Sequence, residues 1–158
     1  MPANSHKSYQ RVRTIVIPDD ELLPQVKQLV SEGHTVTIRV KGNSMRPLLE
    51  NERDKAIISP FSILNKGDIV LAEIFSDKFV LHRIIRICDN HVTLMGDGNI
   101  RGVEECMVDN VIGLVTSVVR NGEVWQSTDL RWRLLRYIWP RLKFVRRYLL
   151  AVYNLSKK

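Results

Sequence analysis

From residue 35 to residue 119 the chain consists of short runs rich in β-branched residues, and a turn signal closes each run. These runs predict strands at 35–41, 55–59, 68–74, 79–87, 91–95 and 111–119. Pairs such as Asn121-Gly122 separate the runs. Many short strands at this spacing are typical of a mainly β, antiparallel fold and not of βαβ units.

Helices are predicted only at the two ends of this β region. Acidic residues at 19–21 precede an apolar pattern that stops at Gly33, which predicts a short N-terminal helix. A C-terminal amphipathic helix is predicted from an apolar repeat at Leu135, Ile138, Leu142, Val145, Leu149 and Val152. Pro140 should kink or split that helix. The sequence thus predicts a flexible N-terminus at 1–18, a folded domain at 19–126 and a helical tail at 127–158.

The positive charge of the chain is concentrated in its tail. Residues 128–158 hold nine basic residues and one acid, a net of +8, whereas the whole chain carries +7. A nucleic-acid-binding domain would carry its basic patch within the fold, so nucleic acid is not an expected partner. A basic appendage favours an anionic membrane surface or an acidic partner.

The expected location is the cytoplasm. No apolar run is long enough to span a bilayer, and the first residues do not resemble a signal peptide. Arginines and aromatic residues at 128–153 predict a peripheral contact with the inner face of the membrane. The alternative is a helix that packs on the folded domain or on a second copy. The sequence shows no metal-ligand cluster, so we expect no cofactor.

Ser44 is the first candidate for chemistry. It follows a predicted strand and lies in a turn two residues after Gly42. A nucleophilic serine needs an exposed hydroxyl and a neighbouring backbone N–H that can stabilise an oxyanion. A serine in a turn is by itself more often a turn former.

The set of motifs is more informative than any single one. Gly42-x-Ser44-Met45-x-Pro47 is followed by Asp54, by Lys66-Gly67-Asp68, by Leu81-His82-Arg83 and by Gly96-Asp97-Gly98-Asn99. In this order the set resembles the superfamily that joins type I signal peptidases with LexA-type self-cleaving repressors, over roughly residues 36–118. The resemblance implies coiled antiparallel β-sheets, serine peptidase chemistry and a substrate bound in extended form beside a strand.

The resemblance also implies roles for single residues. Ser44 matches the nucleophile, and His82 stands where many members have a lysine base. Members similar to the endoplasmic-reticulum and archaeal signal peptidases have histidine followed by arginine at that position. A neutral imidazole is a competent base at neutral pH. Asp97 matches the acid that could orient His82, although Glu104 and Glu105 are alternatives because such relatives have a second acid a few residues on.

The oxyanion hole follows the LexA-like branch. Gly42 stands where many signal peptidases have a hydroxyl donor, so the backbone N–H of Ser44 should supply most of the stabilisation, with Asn43 as a helper. Met45 is predicted to pack beneath the turn and to line the substrate groove, and a plain core role is the alternative.

Three functions fit these motifs. The leading hypothesis is a serine endopeptidase, signal-peptidase-like, that cleaves a peptide or protein precursor. The second is a self-cleaving regulatory protein of LexA type without a DNA-binding domain, since about 35 residues precede the catalytic strand. The third is a catalytically silent module that keeps only the peptide-binding groove.

Overall fold

One antiparallel sheet forms most of the protein in the computed structural model, which describes residues 19–75, 78–142 and 145–155. Its eight described strands are β1 (Val36–Arg39), β2 (Lys55–Ser59), β3 (Ile69–Phe75), β4 (Lys78–Cys88), β5 (His91–Met95), β6 (Glu104–Met107), β7 (Val111–Arg120) and β8 (Glu123–Gln126). The order across the sheet is β1-β2-β7-β3-β4-β5-β6, and β8 pairs with β7. The predicted mainly β fold is confirmed, whereas β6 and β8 were not predicted.

Three α-helices lie in the described ranges. They are α1 (Asp19–Ser31), α2 (Leu130–Ile138) and α3 (Arg146–Leu155), and a 3₁₀ turn at Trp139–Arg141 follows α2. Pro140 therefore splits the C-terminal helix, as predicted. The predicted flexible segment 1–18 lies outside the described residues. None of the described helices has the length and apolar character needed to cross a bilayer.

Two hydrophobic clusters hold the fold together. The first lies between α1 and strands β1, β2 and β7, and Trp132 of α2 packs into it. The second lies around β3, β4 and β5. Strand β3 supplies residues to both clusters, because its successive side chains point to opposite faces and Val70 and Leu71 belong to different clusters.

Candidate active site

Ser44 lies in the loop that connects β1 to β2. Gly42 has a φ of +81°, a left-handed conformation that glycine adopts without strain, and its N–H donates to Asn51 Oδ1 at 2.8 Å. Ser44 follows in a half-buried position. Among the described residues, none makes a hydrogen bond with the Ser44 hydroxyl. The loop thus fixes the backbone of the predicted nucleophile and leaves its hydroxyl available.

A buried carboxylate stabilises this loop from below. Asp54 is fully buried and accepts hydrogen bonds from the Glu50 N–H at 2.9 Å and from the guanidinium groups of Arg53 and Arg120. Arg120 also donates to the Leu48 carbonyl at 2.6 Å. Burial alone would raise the pKa of Asp54, but these hydrogen bonds outweigh it and hold the pKa well below its usual range.

The loop between β5 and β6 packs directly against the Ser44 turn. The Gly98 N–H donates to the Ser44 carbonyl at 2.7 Å. A Cβ at Gly96 would lie 2.4 Å from that carbonyl oxygen, and one at Gly98 would lie 2.6 Å from the Asn43 carbonyl oxygen. Both positions therefore need glycine, because any side chain would push the two loops apart.

His82 lies on β4, opposite Val70 of β3, and its residue surface is 5% exposed. Its Nδ1 is 2.9 Å from Glu104 Oε2. An ionised carboxylate can only accept a hydrogen bond, so Nδ1 carries the proton and Nε2 keeps its lone pair. Glu104 is the first residue of β6 and pairs with Leu94 of β5, and Leu94 pairs with Ile84 of β4. Ile84 lies two residues from His82, on the same face of β4. Glu104 and His82 therefore lie on the same face of the sheet.

Arg83 points to the opposite face of β4 and meets the other acid. Its Nε and Nη2 donate to the two carboxylate oxygens of Asp97 at 2.7 and 2.6 Å, and its Nη1 donates to the Gly67 carbonyl at 2.7 Å. Arg83 and Asp97 are 1% and 2% exposed. The structure thus pairs Glu104, and not Asp97, with His82. The difference from the favoured sequence-based assignment arises because the bidentate guanidinium occupies both oxygens of Asp97.

The loop between β5 and β6 lies next to the strand that carries His82 and also contacts the Ser44 turn. Arg83, the neighbour of His82, pairs opposite Met95, so the loop that begins at Gly96 starts beside this part of β4. The same loop bonds the Ser44 carbonyl through Gly98. Among the described residues, the one hydrogen bond of the His82 ring is the contact between Nδ1 and Glu104, so Nε2 makes none.

The two other predicted site residues differ from each other in exposure. Asn43 is exposed at the start of the turn, where its side chain can reach a bound molecule. Met45 is 2% exposed and belongs to the first hydrophobic cluster. Its place is therefore the core beneath the turn, which was the alternative to a groove-lining role.

A cleft of about 320 Å³ with a mixed polar and apolar lining runs along β1 and the residues after it, as far as Gly42. Its lining residues are Leu22, Leu23, Ile38, Arg39, Val40, Lys41, Gly42, Leu71, Phe79 and Leu81. Within the described chain β1 is the end strand of the sheet, so its outer edge offers backbone N–H and C=O groups to the cleft. An extended peptide could pair with that edge and place side chains in the cleft.

The C-terminal helices contact both loops of the site. Trp139 Nε1 donates to the Asp97 carbonyl at 2.8 Å, and Arg146 donates to the Asn99 carbonyl at 3.1 Å. Tyr153 donates to Glu50 Oε2 at 2.5 Å. Sequence reasoning missed these contacts, because it treated the tail by its apolar repeat and its charge. The signal available in the sequence was weak: Trp139 and Arg146, which both carry N–H donors, lie seven positions apart.

Comparison with known proteins identifies one family. A family model described as Peptidase S24-like matches residues 7–108, more than half of the chain. No curated protein matches the chain significantly. Among the described residues, no group of three or more His, Cys, Asp and Glu is arranged to hold a metal ion.

Proposed function

The chain belongs to the Peptidase S24-like family, and on that premise we propose that it is a serine endopeptidase whose catalytic residues are Ser44, His82 and Glu104. The observation that carries the proposal is the 2.9 Å contact between His82 Nδ1 and Glu104. That contact supports the tautomer in which Nε2 is free to accept a proton, which is the form a general base requires.

The reaction proceeds in two steps. The Ser44 hydroxyl attacks the carbonyl carbon of a peptide bond while His82 Nε2 takes its proton, and Glu104 stabilises the resulting imidazolium. The imidazolium then gives that proton to the departing amine, which leaves an acyl-enzyme ester on Ser44. A water molecule, deprotonated by the same imidazole, hydrolyses the ester and restores Ser44.

The oxyanion of each tetrahedral intermediate needs hydrogen-bond donors. The backbone N–H of Ser44 is the first candidate, and the exposed side chain of Asn43 is the second. The loop is suited to this task because Asp54 and Gly98 fix its backbone before substrate binds. Donors fixed in advance stabilise developing charge without a reorganisation cost.

The substrate is an extended stretch of a peptide or protein precursor. The cleft along β1 and the outer edge of that strand, which pairs with no other described strand, support this assignment, because main-chain pairing gives affinity independently of sequence. By its likeness to signal peptidases, the protein would cut next to small side chains. The apolar lining from Leu71, Phe79 and Leu81 favours aliphatic side chains further along the bound peptide.

The test is digestion of a peptide library that contains small residues around each candidate cleavage site. The full-length protein should cleave it, whereas Ser44→Ala should not. Ser62→Ala is the matched control, because Ser62 is an exposed serine in another loop, and it should cleave normally. Equal cleavage by the wild type and Ser44→Ala would remove Ser44 as the nucleophile.

Two other outcomes would select the competing functions. Fragments of the protein itself, formed on incubation without peptide and absent in Ser44→Ala, would indicate a self-cleaving protein. Peptide binding without cleavage, equal in the wild type and in Ser44→Ala, would indicate a silent binding module. In both cases the endopeptidase assignment would be withdrawn.

A further inference from the structure

The C-terminal helices expose an unusual amount of apolar surface. Nine large side chains of α2, α3 and the residue before α3 are exposed, and we call them the outward ridge: Leu130, Leu134, Tyr137, Ile138, Val145, Tyr148, Leu149, Val152 and Leu155. Leu130 is 78% exposed and Leu155 is 71% exposed. An apolar patch of this extent on a folded protein marks an interaction site.

The ridge is a consistent face of each helix. In α2 its members follow the spacing i, i+4, i+7 and i+8 from Leu130, which places them on one side. The opposite side of these helices is already used, because Trp132, Trp139 and Leu150 are buried against the rest of the protein. The ridge is therefore left over after the helices have packed.

Basic residues surround the ridge. Arg131, Arg133, Arg141 and Arg147 are all exposed on the same helices and the turn between them. Residues 130–155 include no Asp or Glu. An apolar stripe flanked by arginines, with tyrosines at its margin, matches the chemistry of a lipid surface with anionic headgroups.

We propose that the outward ridge docks on the surface of an anionic lipid bilayer. The apolar side chains would enter the boundary between headgroups and acyl chains, while the arginines contact lipid phosphates. A second copy of the chain fits less well, since a symmetric contact would bring two like-charged surfaces together. Nucleic acid would use the arginines but leave nine large apolar side chains exposed.

Docking would also bring the proposed active site close to the lipid. The buried side of the same helices holds the loop between β5 and β6 through Trp139 and Arg146. A helix is about 10 Å thick, so that loop would lie roughly one helix diameter from the docked surface. This consequence depends on the proposed function, whereas the docking itself does not.

Sedimentation of the full-length protein with vesicles tests the proposal. One set of vesicles contains phosphatidylcholine alone, and the other contains phosphatidylcholine with phosphatidylglycerol. We expect the protein to bind the anionic set at least about tenfold more strongly, because each of several basic side chains near an anionic surface adds to the attraction. Equal binding to both sets, or no binding to either, would overturn the proposal.

Two pairs of substitutions separate the apolar and the charged contributions. Leu134→Asn with Val152→Asn, and Arg133→Gln with Arg141→Gln, should each lower binding to the anionic vesicles by about tenfold or more. All four side chains are exposed, so the fold should persist, and near-UV circular dichroism checks that it does. The matched controls are Ile63→Asn and Arg86→Gln, which are also exposed but lie outside the C-terminal helices and outside the loop that these helices contact, and they should bind normally.

Three patterns of results would contradict the ridge as a surface that docks on lipid. Binding that is lost in the arginine pair but unchanged in the Leu134 and Val152 pair would indicate a purely electrostatic contact. A dimer of the wild type that the Leu134 and Val152 pair converts to a monomer, with no vesicle binding by either, would identify a second copy as the occupant. Capture of an acidic protein without vesicle binding would likewise replace lipid by a protein partner.

Discussion

His82 and Arg83 are neighbours on β4, and each is paired with one acid, but the two pairs differ in what they can do. Successive strand residues point to opposite faces, so His82 meets Glu104 on one side and Arg83 meets Asp97 on the other. The Glu104 side chain is 27% exposed, whereas the Asp97 side chain is 3% exposed. The first pair touches solvent and shares a single hydrogen bond.

The comparison shows that burial and the number of hydrogen bonds decide which of the two pairs can take part in proton transfer. A guanidinium is always protonated, and both oxygens of Asp97 are committed to it, so the Arg83–Asp97 pair cannot exchange a proton with a substrate. It instead fixes the position of the loop that holds the Ser44 carbonyl. The imidazole of His82 has a second nitrogen, Nε2, that makes no hydrogen bond within the described residues and can accept a proton.

The largest effect should follow removal of the base. His82→Ala should lower the cleavage rate by about 10³-fold or more, because general-base catalysis typically contributes 10²–10⁴-fold. The free energy of unfolding should fall by about 1–3 kcal/mol, the usual cost of truncating a buried side chain, because His82 is 5% exposed. The measurement pairs peptide cleavage with a melting curve, and a large loss of stability with retained specific activity would assign His82 to the fold.

Breaking the buried pair should affect stability before activity. Asp97→Ala should lower the free energy of unfolding by about 3–5 kcal/mol, because it leaves the charge of Arg83 buried and without its carboxylate. Urea denaturation measures the loss, and Asp109→Ala, an exposed acid in the 3₁₀ turn before β7, serves as the control. Unchanged stability together with abolished cleavage would return Asp97 to a catalytic role.

Removing the orienting charge should have an intermediate effect. Glu104→Gln should lower the cleavage rate by about 10–100-fold, which corresponds to the loss of one charge-assisted hydrogen bond of roughly 1.5–3 kcal/mol. Glu105→Gln is a matched control, because Glu105 is the exposed neighbour on β6 and contacts Thr93 instead. An equal loss of cleavage rate in the two variants would mean that Glu104 acts only through its contribution to the overall surface charge, and not through His82.

The smallest effect concerns pH and a second buried pair. The pKa of Asp54 is lower in the folded protein than the ordinary value of about 3.9. Its stabilising contribution, on the order of 2 kcal/mol, is therefore complete above that ordinary value and is lost as the pH falls below it. Asp54→Asn should flatten the fall in unfolding free energy between roughly pH 5 and pH 2. An unchanged slope would contradict the assignment.

The strand that precedes Ser44 and the strand that carries His82 could be predicted from sequence, but the strand that carries Glu104 could not. Residues 104–107 are only four, two glutamates followed by Cys106 and Met107, and the alternating pattern of a strand is absent from them. They become β6 because β5 offers them a partner, which is a tertiary effect. Because β6 was not predicted, the motif around Asp97 was the stronger indication of the acid that orients His82, and the choice between Asp97, Glu104 and Glu105 stayed undecided.

The C-terminal helices show a second limit of sequence patterns. The apolar repeat from Leu135 to Val152 keeps helical spacing across Pro140, but the structure divides it between α2 and α3. Ile138, Leu149 and Val152 of that repeat are exposed, while Trp132, Trp139 and Arg146, which lie outside it, are buried. Periodicity identified the helices correctly, but it did not identify which side of each helix packs against the rest of the protein.

The central claim is that the side chain at position 44 and the imidazole of His82 act on each other, and a thiol at position 44 tests it without a substrate. The protein would carry Ser44→Cys with Cys88→Ser, since Cys88 is exposed. Cys106 is buried, and burial raises the pKa of its thiol, so it should react slowly.

The measurement is the pH dependence of alkylation by iodoacetamide. The introduced thiol should titrate well below the ordinary value of about 8.5, because a neighbouring imidazolium stabilises the thiolate. Adding His82→Ala should return the titration to the ordinary value, whereas adding Glu105→Gln should leave it unchanged. The same titration with and without His82 would contradict the account.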